Sequence, residues 1–311
     1  MKVMITGVSG MVGSHFSRMY NESGEYIVYG LDIRPPAIGV LPEENYFQCD
    51  ILERDALMRI FKCVKPDIVV HMAAQAYNSI SWDCEYLTHA TNFYGSLNVL
   101  FCAKEIGGAK VLLACSSAEY GNITPNDCPL KEDRPLKPFT PYGVSKAAME
   151  MVGYQYYLNY DLPVYMPRMF IHAGIGHPPT TAIQNFARQL ALIKTEKLKP
   201  VLRVGNLSAR RDFIDARDGV AAMRLLIEKG RPGVCVNICN GTPYLMSDIL
   251  DMLIEISGID IKIEEDLNLM RKADEPLLCG DNNRLKSLGY IPKYSMRQTL
   301  TDIFEDWLSR V

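Results

Sequence analysis

Tyr142 and Lys146 stand four residues apart in TPYGVSKAAMEM, and on a helix that spacing places both side chains on one face. A lysine ammonium beside a phenol favours the ionised phenol. An unperturbed tyrosine titrates at about 10, too high for easy proton exchange at neutral pH. A YxxxK spacing also arises on ordinary amphipathic helices, so the pair gains meaning from its company: a glycine-rich TGVSGMVG near the N-terminus and Ser116 at the end of LLACSS. A phenol and a hydroxyl able to hydrogen-bond a carbonyl oxygen, a nearby cation and a dinucleotide loop together describe redox chemistry at a carbonyl.

Gly7, Gly10 and Gly13 follow an apolar run and open a helical pattern. Bare backbone at a helix N-terminus, here including Met11 and Val12, can approach a pyrophosphate and stabilise its charge. Asp32 ends the next strand pattern, 25 positions after Gly7, where a carboxylate hydrogen-bonds ribose hydroxyls and repels a 2′-phosphate. That favours NAD(H). Arg34, two residues on, is able to neutralise such a phosphate, which keeps NADP(H) open. Asp50, with Ile51, follows FQC and is placed to reach the adenine, although in CDILERD it also reads as a helix cap.

These residues need a scaffold, and the chain supplies an alternating one. KVMITG, YIVYGLD, DIVVHMA and AKVLLAC read as strands, with helices over about 11–20, 55–63, 86–105 and 142–160 between and after them. Continuous apolar runs such as VVHMA suit strands buried on both faces, so the fold class is α/β, a Rossmann-type doubly wound parallel sheet. LPVYMPRMF reads as a further strand. After Phe170 the texture changes to a loop, a helix over 182–193, and shorter pieces up to Val311, read as a smaller α/β substrate-binding region. No internal repeat is evident.

Composition narrows the class. The 311 residues, 48% hydrophobic, support a large core, and the net charge of −3 gives no pull toward nucleic acid or anionic membrane. Nine cysteines without metal-ligand spacing read as reduced packing thiols, with no metal site. The first strand begins at Lys2, leaving no room for an export signal, and no apolar run reaches membrane-spanning length. The expectation is a soluble, cytoplasmic protein.

Taken jointly, TGxxGxxG at 6–13, HMAAQA at 71–76, the asparagine of TNFYGS, LLACSSAEYG at 112–121 and PYGVSK at 141–146 resemble the extended short-chain dehydrogenase/reductase superfamily over nearly the full length. GNLSARRDFIDARD at 205–218 and RKADEPLLCGD at 271–281 are similar to its GDP-sugar branch, especially GDP-4-keto-6-deoxy-D-mannose reductases, with GDP-mannose 4,6-dehydratases close by. The resemblance implies a dinucleotide domain over 1–170 and a mainly sugar-nucleotide domain over 171–311, from which about 205–240 returns to the first. It also implies a homodimer or homotetramer acting on a GDP-linked sugar.

Residue by residue, it makes Ser116 the hydroxyl on the substrate oxygen, Tyr142 the acid/base, and Lys146 its electrostatic partner and ribose anchor. Met72, Ala73, Ala74 and Asn92 fall on the cofactor side, Asn92 chiefly as support. Gln75, Ser117, His172, Arg211, Arg271 and Asp274 fall on the substrate side, with the two arginines as a diphosphate clamp. Ile171 stands where the family usually has an asparagine, so His172 either takes over that contact or packs in a loop.

Dehydratases also need a carboxylate two residues before the tyrosine of the xYG motif. Here that position is Ala118, and Glu119 lies one step later, facing away in extended backbone unless the chain slips by one. The expectation is therefore NAD(P)H-dependent reduction of a C4 ketone to a GDP-6-deoxyhexose such as GDP-D-rhamnose. A 4,6-dehydratase or epimerase is the alternative within the superfamily. A nucleotide-sensing protein without turnover is the alternative outside it.

Overall fold

The computed structural model describes residues 1–35, 41–270 and 275–311. The chain opens with β1 (Lys2–Thr6), α1 (Met11–Ser23), β2 (Ile27–Asp32), β3 (Tyr46–Gln48), α2 (Arg54–Val64) and β4 (Ile68–His71). Helix α2 buries Leu57, Phe61 and Val64, one stripe at i, i+4 and i+7. All four residues of β4 are buried, as its unbroken apolar run requires.

The long helical stretch that follows is not continuous. It divides into α3 (Glu85–His89), a π-helical turn over Ala90–Gly95 and α4 (Ser96–Ile106). The wider turn changes the phase of the side chains at Asn92, a device common near functional sites. Then come β5 (Lys110–Leu113), β6 (Cys115–Ser116), α5 (Pro141–Tyr160) and β7 (Val164–Met169). The helix boundaries expected from periodicity hold to within a few residues.

The remaining elements are β8 (Ile171–Ala173), α6 (Ala182–Lys194), β9 (Val201–Val204), β10 (Arg210–Asp215), α7 (Ala216–Lys229), β11 (Cys235–Ile238), β12 (Pro243–Leu245), α8 (Met246–Ser257), β13 (Lys262–Glu265), β14 (Leu277–Leu278), α9 (Asn283–Ser287) and α10 (Met296–Arg310). The main sheet has the order β11-β7-β5-β4-β1-β2-β3, with β6 pairing β7, and every pairing in it is parallel. Strand order reverses between β1 and β4, the switch point where doubly wound sheets bind dinucleotides.

One apolar layer packs Phe61, Leu100 and Met149 against one face of the sheet, and a second packs Phe16, Tyr20 and Leu226 against the other. Each such fully buried side chain contributes about 1.5–3 kcal/mol. Helix α7 and strand β11 belong to this body, although they follow β8 to β10 in sequence. A third core, built from α6, α8, α10 and β9 around Leu190, Leu253 and Phe304, lies beside it. Trp307 Nε1 donates to Gln184 Oε1 (2.7 Å), and Gln184 Nε2 donates to Gly174 O (2.8 Å), which ties α10 to the loop after β8. Among the described residues no helix is long and apolar enough to cross a membrane.

Candidate active site

The dinucleotide end follows from the turn between β1 and α1. Gly7 has φ +71° and packs so closely on the chain after β4 that a Cβ there would lie 2.6 Å from Ala73 N. Asp32 is buried at the end of β2, where its carboxylate accepts Ser9 N–H (3.0 Å) and Arg34 N–H (3.0 Å). The Arg34 guanidinium leans back to it at 3.4 Å and is mostly exposed. Bare backbone at a helix start with a carboxylate 25 residues beyond Gly7 fits a nicotinamide dinucleotide.

Asp50 uses Oδ1 to accept Leu52 N–H (2.9 Å), a local turn ahead of α2. Ile51 turns its side chain into the core against Gly95, whose added Cβ would meet it at 2.4 Å. Its side chain is therefore held by packing. Met72, Ala73 and Ala74 follow β4 directly, with Met72 N–H on Thr6 O (3.0 Å).

A buried polar chain underlies this floor, most of it without a local signature in the sequence. Thr6 Oγ1 meets His71 Nδ1 (2.7 Å), His71 Nε2 meets Ser96 Oγ (2.9 Å), and Ser96 Oγ donates to Asn92 O (2.5 Å). Burial holds His71 down at about 3, so the ring is neutral. Asn92 accepts Gln75 N–H (2.8 Å) and donates to Gln75 O (3.0 Å) and Ser145 Oγ (2.9 Å). One side chain thus fixes the Gln75 loop to the helix that carries Tyr142.

Helix α5 brings the reacting groups together. Thr140 caps it by accepting Gly143 N–H (3.0 Å), and Pro141 occupies its first turn. Gly143 lies so close to Ala118 O that an added Cβ would stand at 2.6 Å, which seats the helix on the Ser116 turn. The Ser116 hydroxyl lies close enough to the Tyr142 phenol to act on its proton affinity. Lys146 is buried, its Nζ donates to Ala114 O (2.7 Å), and it lies 5.8 Å from the Tyr142 ring centroid.

Burial pushes the Tyr142 phenol up to about 12, against the lowering effect of Ser116, and pushes the Lys146 ammonium down to about 8. The expectation that Lys146 favours an ionised phenol is not met in this state. The phenol keeps its proton and is ready to donate it.

Substrate-side positions divide. Ser117 and Ala118 are partly exposed, whereas Glu119 is wholly buried. No slip by one residue brings that carboxylate to the front of the site. His172, read either as a substitute contact for the sugar nucleotide or as a packing histidine, is packed in the structure. Its Nδ1 bonds Phe170 O (2.9 Å), and its ring edge fills the notch at Gly219 of α7, where a Cβ would lie 2.2 Å from Nε2. Burial lowers it to about 4, so it is neutral.

Ile171 pairs with Phe213 in β10 and packs on the third core. Arg211 is buried in β10 and donates from Nη1 to Glu275 O (2.5 Å). Arg271 and Asp274 lie outside the described residues.

A sequence profile described as GDP-mannose 4,6 dehydratase matches residues 4–303. The chain belongs to the GDP-mannose 4,6-dehydratase family. It is 30% identical over 312 residues to the GDP-6-deoxy-D-mannose reductase of Pseudomonas aeruginosa, covering 100% of this chain and 98% of that protein. It is 27% identical over 315 residues to the GDP-6-deoxy-D-talose 4-dehydrogenase of Aggregatibacter actinomycetemcomitans, covering 99% and 98%. The solved structure of RMD from P. aeruginosa complexed with NADPH matches the fold with a TM-score of 0.89 at 29% identity, covering 100% of this chain and 99% of that one. This member of the GDP-mannose 4,6-dehydratase family is therefore an extended short-chain dehydrogenase/reductase enzyme, an NAD(P)-dependent oxidoreductase.

The depressed Lys146 sets a pH limit. Its charged form is present below about 8 and lost above it, while the phenol remains protonated throughout that range. In the reductive direction kcat is expected to stay level from about pH 6 to 7.5 and to fall tenfold per unit above about 8. A rate that holds level to pH 9.5 would show that the ammonium is not required.

Proposed function

We propose that this chain reduces the C4 ketone of a GDP-4-keto-6-deoxyhexose to a GDP-6-deoxyhexose of the GDP-D-rhamnose type, consuming NAD(P)H. The observation that carries the reading is the Ser116 turn. Two hydroxyl donors, Ser116 and Tyr142, stand together, the serine lowering the phenol against its burial, and the adjoining partly exposed position is the methyl of Ala118 while Glu119 is buried. Removal of a C5 proton and expulsion of a 6-hydroxyl need a carboxylate at that position. Ketone reduction needs none. The reductase and 4-dehydrogenase names of the two relatives support the same choice.

The dinucleotide, when bound, supplies a hydride to C4. Gly7, Gly10, Met11, Val12 and Gly13 would hold its pyrophosphate at the start of α1, with Asp32 at the adenosine ribose and Lys146 at the nicotinamide ribose. Ser116 Oγ and Tyr142 Oη hydrogen-bond the carbonyl oxygen, Tyr142 gives its proton to the oxyanion as it forms, and Lys146 stabilises the phenolate left behind. Gln75 and Ser117 would contact the sugar. Arg211 and Arg271 would clamp the diphosphate, with Asp274 on the substrate side.

Tyr142→Phe is expected to lower kcat by about 10²–10⁴ while coenzyme affinity, measured by fluorescence titration, is retained. The deciding assay offers a panel of 4-keto sugar nucleotides and follows the reduced-nicotinamide absorbance. Release of water from GDP-mannose with no net coenzyme consumption would overturn the reductase reading in favour of a dehydratase.

Asp32 favours NADH, and Arg34, held 3.4 Å from it and mostly exposed, would turn outward to neutralise a 2′-phosphate. Both coenzymes are then accepted, with NADH preferred. Arg34→Ala is expected to raise KM for NADPH about tenfold, a loss of about 1.4 kcal/mol, and to leave KM for NADH essentially unchanged. Equal effects on the two would remove Arg34 from coenzyme choice.

The working unit would be a homodimer in the cytoplasm. All nine cysteines are free thiols, which suits a reducing compartment. Helices α3 and α5 pack side by side, and together they expose Tyr86 (88%), Met151 (63%), Tyr154 (47%) and Leu158 (56%), an apolar face suited to a second copy. Sedimentation velocity is expected to give a dimer, and Tyr86→Glu combined with Leu158→Glu a monomer. A wild-type monomer at micromolar concentration would refute it.

A further inference from the structure

Behind the Ser116 hydroxyl lies a carboxyl group that the reaction does not touch. Ser116 N–H donates to Glu119 Oε1 at 2.6 Å, and Ala118 N–H donates to Ser116 Oγ at 3.2 Å, so the two residues cap the same short turn reciprocally. The register of β6 on β7 places Cys115 opposite Arg168 and Ser116 opposite Met169, which brings the Arg168 guanidinium under this turn. The hydrogen bonds of that guanidinium go to other groups. Its Nε and Nη2 grip Glu150 at 2.8 and 2.7 Å, and its Nη1 donates to Glu132 O at 3.0 Å.

Glu119 Oε2 is left 3.7 Å from Arg168, too far for a hydrogen bond, and receives no donor. Two buried carboxylates on one guanidinium would leave a net negative charge in a site closed to water. One proton resolves the conflict. With it on Glu119, whose carboxyl lies within 4.8 Å of that of Glu150, the acid would turn its proton toward Glu150 and still accept from Ser116 N–H. Burial and the neighbouring Glu150 both hold Glu119 protonated, whereas the Arg168 bonds keep Glu150 ionised against its own burial. Cys115 Sγ lies within 4.8 Å of both carboxyls, but the cation among them is already Arg168. The other titratable groups around this pocket include the Cys235 thiol, Lys146, Tyr142 and Tyr120, whose ring centroid lies 5.0 Å from the Arg168 guanidinium.

We propose that Glu119 is a positioning residue for Ser116, a neutral hydrogen-bonding strut from the Glu150 carboxylate to the Ser116 N–H that fixes the angle of the Ser116 hydroxyl. The proposal rests on Ser116 acting in ketone reduction. Charge is not what Glu119 contributes; reach and hydrogen bonding are. Glutamine has the same reach, accepts from Ser116 N–H and donates to Glu150, so it replaces the acid. Leucine keeps the volume and loses both bonds. Aspartate keeps the acid and falls short by one methylene.

The experiment measures kcat, coenzyme Kd and the pH profile for Glu119→Gln, Glu119→Asp, Glu119→Leu, Ser116→Ala and the double variant Ser116→Ala/Glu119→Leu. Glu119→Gln is expected within about threefold of the wild-type kcat with an unshifted pH profile. Glu119→Asp and Glu119→Leu are expected to be slower by about 10- to 100-fold, the cost of a small misplacement of a reacting group, with coenzyme Kd unchanged. The double variant is expected to be no slower than Ser116→Ala.

A Glu119→Leu enzyme as fast as wild type, a Glu119→Gln enzyme slower than Glu119→Asp, or a double variant slower in proportion to both single changes overturns the proposal while leaving the ketoreductase reading intact. Should Glu119→Leu not fold, the order of Gln and Asp decides alone. A Ser116→Ala enzyme of undiminished rate removes the ketoreductase role of Ser116 and the strut with it.

Discussion

The site depends on one contact surface, that between the N-terminal half of α5 and the turn that follows β6. Gly143 permits backbone contact with Ala118 O, and Lys146 is anchored to Ala114 O. Because the helix can come no closer and the lysine reaches no farther, Tyr142 is brought to Ser116. Any bulk at Gly143 would lift the helix and separate the two hydroxyls, although neither would itself have changed. The sheet serves this contact by ending β5 and β6 at the level where α5 begins.

Buried polar groups hold the register of that contact, where apolar packing alone would allow sliding. Asn92 binds both backbone groups of Gln75 and the hydroxyl of Ser145, and the π-helical turn over Ala90–Gly95 aims it there. His71 continues the chain to Thr6 and Ser96 as a neutral ring. Each of these bonds adds only about 1 kcal/mol, but an unpaired member would cost more than that, so the arrangement tolerates little displacement. Position is specified more strongly than stability.

Much of this was legible in the chain. The strands, the helices near 11, 55 and 142, the glycine turn and the spacing from Tyr142 to Lys146 are local patterns, and local patterns survive folding. What was not legible depends on register between distant segments. His172 reads equally as a contact or a packing residue until the pairing of Ile214 with His172 in β10 and β8 places its ring against Gly219. Glu119 reads as facing away from the site unless the chain slips by one, and nothing local shows that β7 brings Arg168, 49 positions later, beneath it. The break in the helix over 86–105 was hidden because a π turn leaves composition unchanged. Ile51 looked like a cofactor neighbour by position, and only the packing of Gly95 shows where its side chain goes.

The protonation state of the site fits the direction of the reaction better than the sequence pattern suggested. A lysine beside a tyrosine reads as a device for making phenolate, the form that accepts a proton from an alcohol. Burial acts the other way on both groups. It keeps the phenol protonated and makes the ammonium the stronger acid of the pair. In reduction the enzyme must meet a neutral ketone with a proton already in place, and negative charge appears only as hydride arrives. A site that stores the proton on Tyr142, keeps Glu119 neutral behind Ser116 and holds a single cation at Lys146 stabilises charge on the carbonyl oxygen as it develops, with no carboxylate at the front to oppose it.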